Sequence, residues 1–136
     1  MTAGNEIRVL YLEDDEDTLE MVCFMLDLSG IEVASATTSD EAERLAKSGR
    51  FDLYLLDGLL PSGNSLNLCR EMRKFSPSTP VVFYSALGFK EDIAKGLEAG
   101  ADAYLVKPYS GDLAETILRV IEKAKINRSQ VSLAAC

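Results

Sequence analysis

Histidine is absent from this chain of 136 residues. Without it the protein cannot carry a Ser-His-Asp or Cys-His catalytic site, and it cannot hold a phosphohistidine of its own. Any phosphoryl group on the chain would therefore have to come from another molecule. Cysteine is scarce, since Cys23, Cys69 and Cys136 make an odd set without metal-ligand spacing. We interpret Cys23 and Cys69 as small apolar core residues of a reducing, hence cytoplasmic, compartment.

Long apolar runs are also missing, because no stretch approaches the roughly 20 residues that a membrane span needs. The N-terminus lacks the basic and then apolar pattern of a secretion signal. Positive charge is in deficit: 14 Lys and Arg stand against 22 Asp and Glu, for a net charge of −8. This balance disfavours direct binding to nucleic acid, which needs a basic face. We therefore expect no membrane partner and no nucleic-acid partner.

What is present suits one domain of ordinary size, with 47% apolar residues to build a single core. Short apolar runs alternate with segments of helical periodicity, which predicts a parallel sheet with helices on both faces, a doubly wound α/β fold. From residue 127 the periodicity fades. We predict a domain over residues 1–126 and a frayed C-terminal tail over residues 127–136, which would include Cys136. The five predicted strands cover residues 7–12, 31–36, 51–56, 81–84 and 103–106.

Reactive side chains follow four of these strands. Glu13 and Asp14 follow the first, Asp57 follows the third, Ser85 ends the fourth, and Lys107 follows the fifth. In open parallel sheets the ligand lies outside the carboxyl ends of the strands, where the strand order reverses. Carboxylates there suit magnesium, and the lysine and hydroxyl suit a phosphoryl group. The pattern therefore predicts a site for a divalent metal and a phosphoryl group.

Each residue also has an ordinary structural interpretation. The acids of residues 13–17 could serve only as favourable charge at a helix N-terminus, and Asp15 and Asp17 are expected to do no more. Lys107 could be a surface residue, and Ser85 a helix cap. Asp57 is harder to explain in this way, because a carboxylate that ends a core strand needs a cation or a hydrogen-bond donor. The co-occurrence of these residues favours a functional site.

The ordered set of motifs resembles the receiver domain of two-component response regulators, over roughly residues 6–126. The resemblance implies a flavodoxin-like (βα)5 fold with strand order 2-1-3-4-5 and a place in a phosphorelay. It implies a sensor histidine kinase or a histidine phosphotransfer protein as phosphodonor, and a downstream protein effector or an output domain outside this chain. The matching stretches are residues 9–15, 55–57 with Pro61, 85–86, 99–105 and 107–109.

The resemblance also implies roles for the acids. Asp57 is similar to the phospho-acceptor, which also contacts the metal, and Asp14 to the direct ligand of Mg²⁺. Glu13 is similar to the acid that holds the metal through water, and the backbone carbonyl of Leu59 to the third protein ligand. The protein would then phosphorylate and dephosphorylate itself without being an enzyme that turns over a substrate.

The remaining site residues are similar to the family's switch. Lys107 resembles the lysine that pairs with the phosphoryl group. Ser85 resembles the hydroxyl that moves onto the phosphoryl oxygens, and Tyr104 the aromatic side chain that turns inward behind it. These movements would couple the phosphorylation site to the face formed by the fourth helix, the fifth strand and the fifth helix.

The chain departs from the family pattern in three places. Asn64-Ser65 replaces a frequent Asp-Gly, and because that glycine suits positive φ, we expect strain or a changed loop at Ser65. Gly58 replaces a larger apolar residue, which would loosen the acceptor loop. Tyr109 replaces phenylalanine, a mild change.

Three other functions compete with the phospho-accepting receiver. A pseudo-receiver, with the same fold but binding partners without phosphorylation, stays open. A magnesium phosphatase with an aspartate nucleophile is disfavoured, because it needs a second acid two residues after Asp57 and Leu59 stands there. Flavin binding is disfavoured because acids follow the first strand where a phosphate-binding loop would be needed.

Overall fold

A computed structural model describes residues 6–60, 64–109 and 111–135, with side chains described as far as residue 127. Pro61 and Cys136 lie outside the described residues. Five parallel strands form one sheet in the order β2-β1-β3-β4-β5, which confirms the predicted fold class and strand order. The elements, in chain order, are β1 Ile7–Leu12, α1 Glu16–Leu28, β2 Ile31–Ala36, α2 Ser39–Ser48, β3 Leu53–Leu56, α3 Ser65–Phe75, β4 Val81–Ser85, α4 Lys90–Glu98, β5 Ala103–Val106 and α5 Leu113–Ala135.

Two apolar layers cover the sheet, because successive side chains of a strand point to opposite faces. Leu10, Leu12, Leu56 and Phe83 face α2 and α3. The alternate positions of the same strands, which include Val9 and Leu55, face α1 and α5. All residues of β3 and β4 are buried, as expected for central strands of a parallel sheet.

Helices α1 and α2 each begin after a residue whose side chain caps the helix. The Thr38 hydroxyl accepts a hydrogen bond from the Glu41 N–H at 3.1 Å, so α2 begins where the capping-box spacing predicts. The Asp15 carboxylate caps α1 by accepting the Thr18 N–H at 3.0 Å, which agrees with a helix-terminal interpretation of that acid. α1 ends before Gly30, whose φ of 80° is the left-handed conformation that favours glycine.

Two element boundaries differ from the sequence prediction. β3 begins at Leu53, not at Phe51, and the Asp52 carboxylate instead accepts the Arg8 N–H at 2.9 Å while Phe51 packs under the Arg8 guanidinium. α5 continues to Ala135, nine residues beyond the predicted domain boundary at residue 126. No glycine or proline interrupts residues 127–135, so the sequence contains no helix-ending residue there.

Cys69 and Cys23 differ in how deeply the fold buries them. Cys69 is buried and Cys23 half-buried, both as free thiols, so Cys69 is the core residue that we expected and Cys23 lies at the edge of the core. Within the ranges that the structure describes, no helix combines the length and the apolar character that crossing a bilayer requires.

Candidate functional site

The carboxyl ends of β1 and β3 lie side by side at the centre of the sheet. Leu12 is paired with Leu56, and the Asp57 N–H donates to the Leu12 carbonyl at 3.0 Å. Glu13 is held on the other side, because its N–H donates to the Ala36 carbonyl of β2 at 3.0 Å. The main chain of both acids is therefore fixed by the sheet, although neither belongs to a strand.

Three carboxylates converge at this edge. Glu13, Asp14 and Asp57 each offer one oxygen, and these oxygens lie within 4.8 Å of one another. Glu13 and Asp57 are buried, whereas Asp14 is exposed, so the cluster opens to solvent on the Asp14 side. Hard oxygen ligands on neighbouring strands, with one side open to water, fit the coordination that Mg²⁺ prefers.

Lys107 reaches the same cluster from β5. Its Nζ lies 2.6 Å from Glu13 Oε1 and 3.9 Å from Asp57 Oδ2, so the ammonium pairs more closely with Glu13 than with the residue that resembles the acceptor. The Lys107 N–H donates to the Ser85 carbonyl at 2.8 Å, and the Lys107-Pro108 peptide bond is cis. Lysine and both buried acids thus form one charged group beneath the edge of the sheet.

Tyr11 belongs to this group, although our interpretation of the sequence missed it. Its hydroxyl donates to Glu13 Oε1 at 2.8 Å in the protein interior. Burial and the neighbouring Glu13 carboxylate raise the pKa of Tyr11 well above its ordinary value, so the phenol stays a donor. The signal was present in the sequence, because Glu13 follows Tyr11 by two residues where the chain leaves β1, and side chains two apart in extended chain point the same way.

The two buried acids respond oppositely to their surroundings. Burial opposes ionisation of Glu13, but hydrogen bonds led by that from Lys107 outweigh it and lower the pKa of Glu13. Burial, together with the adjacent Glu13, raises the pKa of Asp57 to about 7, although the Leu59 N–H and Lys107 act against this rise. Lys107 therefore pairs mainly with Glu13, and the protein compensates the negative charge of Asp57 only in part.

Ser85 and Tyr104 meet at the backbone of Leu87, just after β4. The buried Ser85 hydroxyl accepts the Leu87 N–H at 3.1 Å, and the Tyr104 hydroxyl donates to the Leu87 carbonyl at 2.7 Å. The half-buried Tyr104 ring stacks on Phe83 with 5.5 Å between ring centroids. The two predicted switch residues therefore share one peptide segment as a hydrogen-bond partner.

The remaining predicted residue, Leu59, lies in the loop between the end of β3 at Leu56 and the start of α3 at Ser65. Its side chain is exposed, and its N–H donates to Asp57 Oδ1 at 3.0 Å, which orients the carboxylate. At the end of the loop, Ser65 has a helical conformation at the start of α3. Since every non-glycine residue that the structure describes has negative φ, the strain that we expected at Ser65 is absent.

One prediction concerns the stability of the folded protein. We expect Asp57→Asn to raise the free energy of unfolding by about 2 kcal/mol at pH 8 in the absence of divalent metal, because it removes a buried carboxylate of raised pKa. Since the pKa rises from 3.8 to about 7, the wild type loses this stability progressively as pH climbs from about 4 through 7. Urea unfolding followed by circular dichroism at pH 5 and pH 8 measures the difference.

The same substitution at an exposed acid gives the control. Asp27 is exposed on α1, so the effect of Asp27→Asn should hardly change between the two pH values. An Asp57→Asn variant with no pH-dependent gain over the wild type would contradict the idea that Asp57 is poorly compensated.

Comparison with known proteins agrees with this geometry. The strand order and the acids and lysine at the carboxyl edge of the sheet place the chain in the class of flavodoxin-like α/β domains. Within that class, the chain belongs to the response regulator receiver domain family, whose model matches residues 9–119.

Relatives and solved structures extend the comparison. The chain is 38% identical over 105 residues to the phosphate regulon transcriptional regulatory protein PhoB of Escherichia coli, covering 76% of this chain and 46% of that protein. It is 41% identical over 121 residues to the transcriptional regulatory protein PrrA of Mycobacterium tuberculosis, covering 89% and 50%. A CheY-like receiver domain from Methanospirillum hungatei superposes with a TM-score of 0.83 at 29% identity, covering 89% of this chain and 98% of that one. The chain thus spans about half the length of the curated relatives it matches, and it is a response regulator receiver domain.

Proposed function

We propose that Asp57 is the residue that accepts the phosphoryl group, from a phosphohistidine on a partner protein. The observation that supports this most is the buried Asp57 carboxylate, oriented by the Leu59 N–H and lying beside Glu13, Asp14 and Lys107. As a carboxylate oxygen bonds to phosphorus, the P–N bond breaks. The electron pair returns to the imidazole, which takes up a proton.

The donor set suits Mg²⁺ as cofactor. Asp14 and Asp57 would be direct ligands, Glu13 would act through water, and the Leu59 carbonyl would complete the protein ligands. Glu13 already accepts hydrogen bonds from Lys107 and Tyr11, which suits it to an indirect role. When bound, magnesium would neutralise negative charge on the acids and the phosphoryl oxygens.

Lys107 and Ser85 would respond to the new phosphoryl group. Lys107 Nζ, only 3.9 Å from Asp57 Oδ2, would pair with a phosphoryl oxygen, and the Ser85 hydroxyl would leave the Leu87 N–H to donate to another. Tyr104 would turn further inward behind it. Water would later hydrolyse the acyl phosphate, so labelling and its decay need no other protein.

Incubation with acetyl phosphate and magnesium tests this function against the pseudo-receiver. One phosphoryl adduct per chain is the expected product by intact mass, because the Asp57 carboxylate is oriented by the Leu59 N–H and lies beside Glu13, Asp14 and Lys107. An unmodified wild-type chain under these conditions would favour a module that binds partners without phosphorylation.

An exposed apolar surface on α1 supports the proposal that the phosphodonor is a protein. We call it the α1 stripe, and it consists of Met21, Phe24, Met25 and Leu28, whose spacing places them on one face of the helix. All four are exposed, Phe24 to 65%, and α1 carries four acids and no base. Because α1 begins two residues after Asp14, a donor helix with apolar residues and a basic rim would bind along the stripe with its histidine near Asp57.

The substitution Phe24→Lys tests this docking surface. We expect transfer from a phosphohistidine donor protein to fall about 30-fold, since a central exposed aromatic residue is a typical hot spot. Labelling by acetyl phosphate should be unchanged, because the small donor does not need the stripe. Phe89→Lys is the matched control, since Phe89 is exposed to 76% on another face, at the start of α4. Equal transfer rates in all three proteins would remove α1 from donor recognition.

The output of the protein would leave through protein contacts, in the cytoplasm. The phosphodonor would be a sensor histidine kinase or a histidine phosphotransfer protein. Because the relatives named above are about twice as long as the matching region, an output domain beyond this chain is one route. A separate effector that binds the α4, β5 and α5 face is the other.

A further inference from the structure

We infer that Ser65 is a positioning residue, whose buried hydroxyl holds the main chain of Asp57 in place for phosphoryl transfer. Its Oγ donates to the Asp57 carbonyl at 2.5 Å, and the residue is only 2% exposed. This inference rests on the proposed role of Asp57 as acceptor. It assigns a function to a residue that departs from the family pattern, where glycine is frequent and no such hydroxyl exists.

The Ser65 hydroxyl is not acting as an ordinary helix cap. Serine at a helix start usually accepts a hydrogen bond from an N–H of its own helix. Here Asn64 occupies the N-cap position without a side-chain cap bond, and the Ser65 hydroxyl donates back across eight residues of sequence. The bond therefore closes the acceptor loop, because it joins the start of α3 to the residue that follows β3.

With this bond, Asp57 is held on both sides of its peptide backbone. Its N–H donates to Leu12 of β1, and its carbonyl accepts from Ser65 of α3. Its carboxylate is then oriented by Leu59, which lies within the loop that Ser65 closes. Without the hydroxyl, a buried carbonyl would lose its partner and the loop would be free to shift.

A shift of the chain next to Asp57 would matter because Gly58 lies close to Ser85. A Cβ built on Gly58 would lie 3.1 Å from Ser85 Oγ and 3.3 Å from Ser85 Cβ. The absence of a side chain at position 58 permits this approach, and the Ser65 bond fixes the peptide that precedes it. Ser65 thus sets both the position of the acceptor and the space beside the hydroxyl of the proposed switch.

Ser65→Ala tests the inference, and Ser39 offers a closely matched control. Ser39 is also the first residue of its helix, α2, with a buried hydroxyl that has no partner among the described residues. We expect Ser65→Ala to lower the maximal rate of labelling by acetyl phosphate about tenfold at saturating magnesium, with little change in half-saturating acetyl phosphate, because orientation rather than binding is lost. Ser39→Ala should be labelled like the wild type.

Amide hydrogen exchange gives a readout that does not depend on labelling. In magnesium-free protein, Ser65→Ala should speed exchange of the Asp57 and Leu59 amides at least fivefold, whereas Ser39→Ala should not. If Ser65→Ala fails to fold by circular dichroism, Ser65→Cys replaces it, and this near-isosteric weak donor should give intermediate rates. Wild-type labelling and exchange in the folded Ser65 variant would overturn the inference while leaving Asp57 as acceptor. An unlabelled wild type would instead overturn the proposed function.

Discussion

Asp57→Asn should abolish the phosphoryl adduct that acetyl phosphate gives with the wild type. An amide oxygen is a much weaker nucleophile than a carboxylate, so the P–O bond does not form. The neighbouring acids cannot take over: Glu13 is engaged by Lys107 and Tyr11, and Asp14 lies out at the exposed rim. We expect the labelling rate to fall at least about a thousandfold, into the background of intact-mass measurement.

Asp52→Asn is the appropriate control for this experiment. Asp52 lies near the start of the predicted strand, residues 51–56, that Asp57 follows. An asparagine at position 52 can still accept the hydrogen bond from the Arg8 N–H. It should be labelled like the wild type. An adduct of wild-type amount on Asp57→Asn would show that another residue is the acceptor.

Asp14→Ala should abolish magnesium binding near neutral pH. Of the three clustered acids, Glu13 already shares its oxygens with donors from the protein, so removing Asp14 leaves Asp57 as the only carboxylate available for direct coordination. We expect the affinity to fall at least about a hundredfold, since Mg²⁺ gives up its water reluctantly for fewer carboxylates. Calorimetric titration with magnesium chloride measures the loss, and no phosphodonor is required.

The control for Asp14→Ala must remove the same charge without removing a ligand. Asp17 lies in the first turn of α1, exposed and close to the site in sequence, so Asp17→Ala serves this purpose. The affinity of Asp17→Ala for magnesium should differ from that of the wild type by no more than about twofold, the effect of one screened surface charge. If both variants bind magnesium like the wild type, the metal site lies elsewhere.

The strands and their order could be predicted because each strand is a short apolar run, and because parallel sheets bring carboxyl ends to one edge. The cluster of Glu13, Asp14, Asp57 and Lys107 followed from that rule, and the structure brings these four together. The ionic pairing within the cluster could not be predicted. It depends on side-chain reach, which places the lysine nearer to Glu13 than to Asp57.

The boundaries that were wrong share a cause, which is that a hydrophobic pattern reports burial rather than hydrogen bonding. α5 remains helical beyond residue 126, where its apolar periodicity fades, and Phe51 is apolar without joining the ladder of β3. Ser65 shows the same limit in another way. Its sequence position suggested strain, whereas a long-range hydrogen bond that no local pattern reveals gives it a buried, unstrained place.

The shared hydrogen-bond partner of Ser85 and Tyr104 has a consequence for signalling. The N–H of Leu87 donates to the Ser85 hydroxyl, and the carbonyl of Leu87 accepts from the Tyr104 hydroxyl. A movement of Leu87 would therefore change the hydrogen bonds of both side chains. If Ser85 moves to the phosphoryl group as proposed, the Leu87 N–H loses this acceptor, and the segment that also holds the Tyr104 hydroxyl can move. We therefore expect Ser85 and Tyr104 to move together rather than one after the other, with the peptide segment at Leu87 linking the ends of two neighbouring strands.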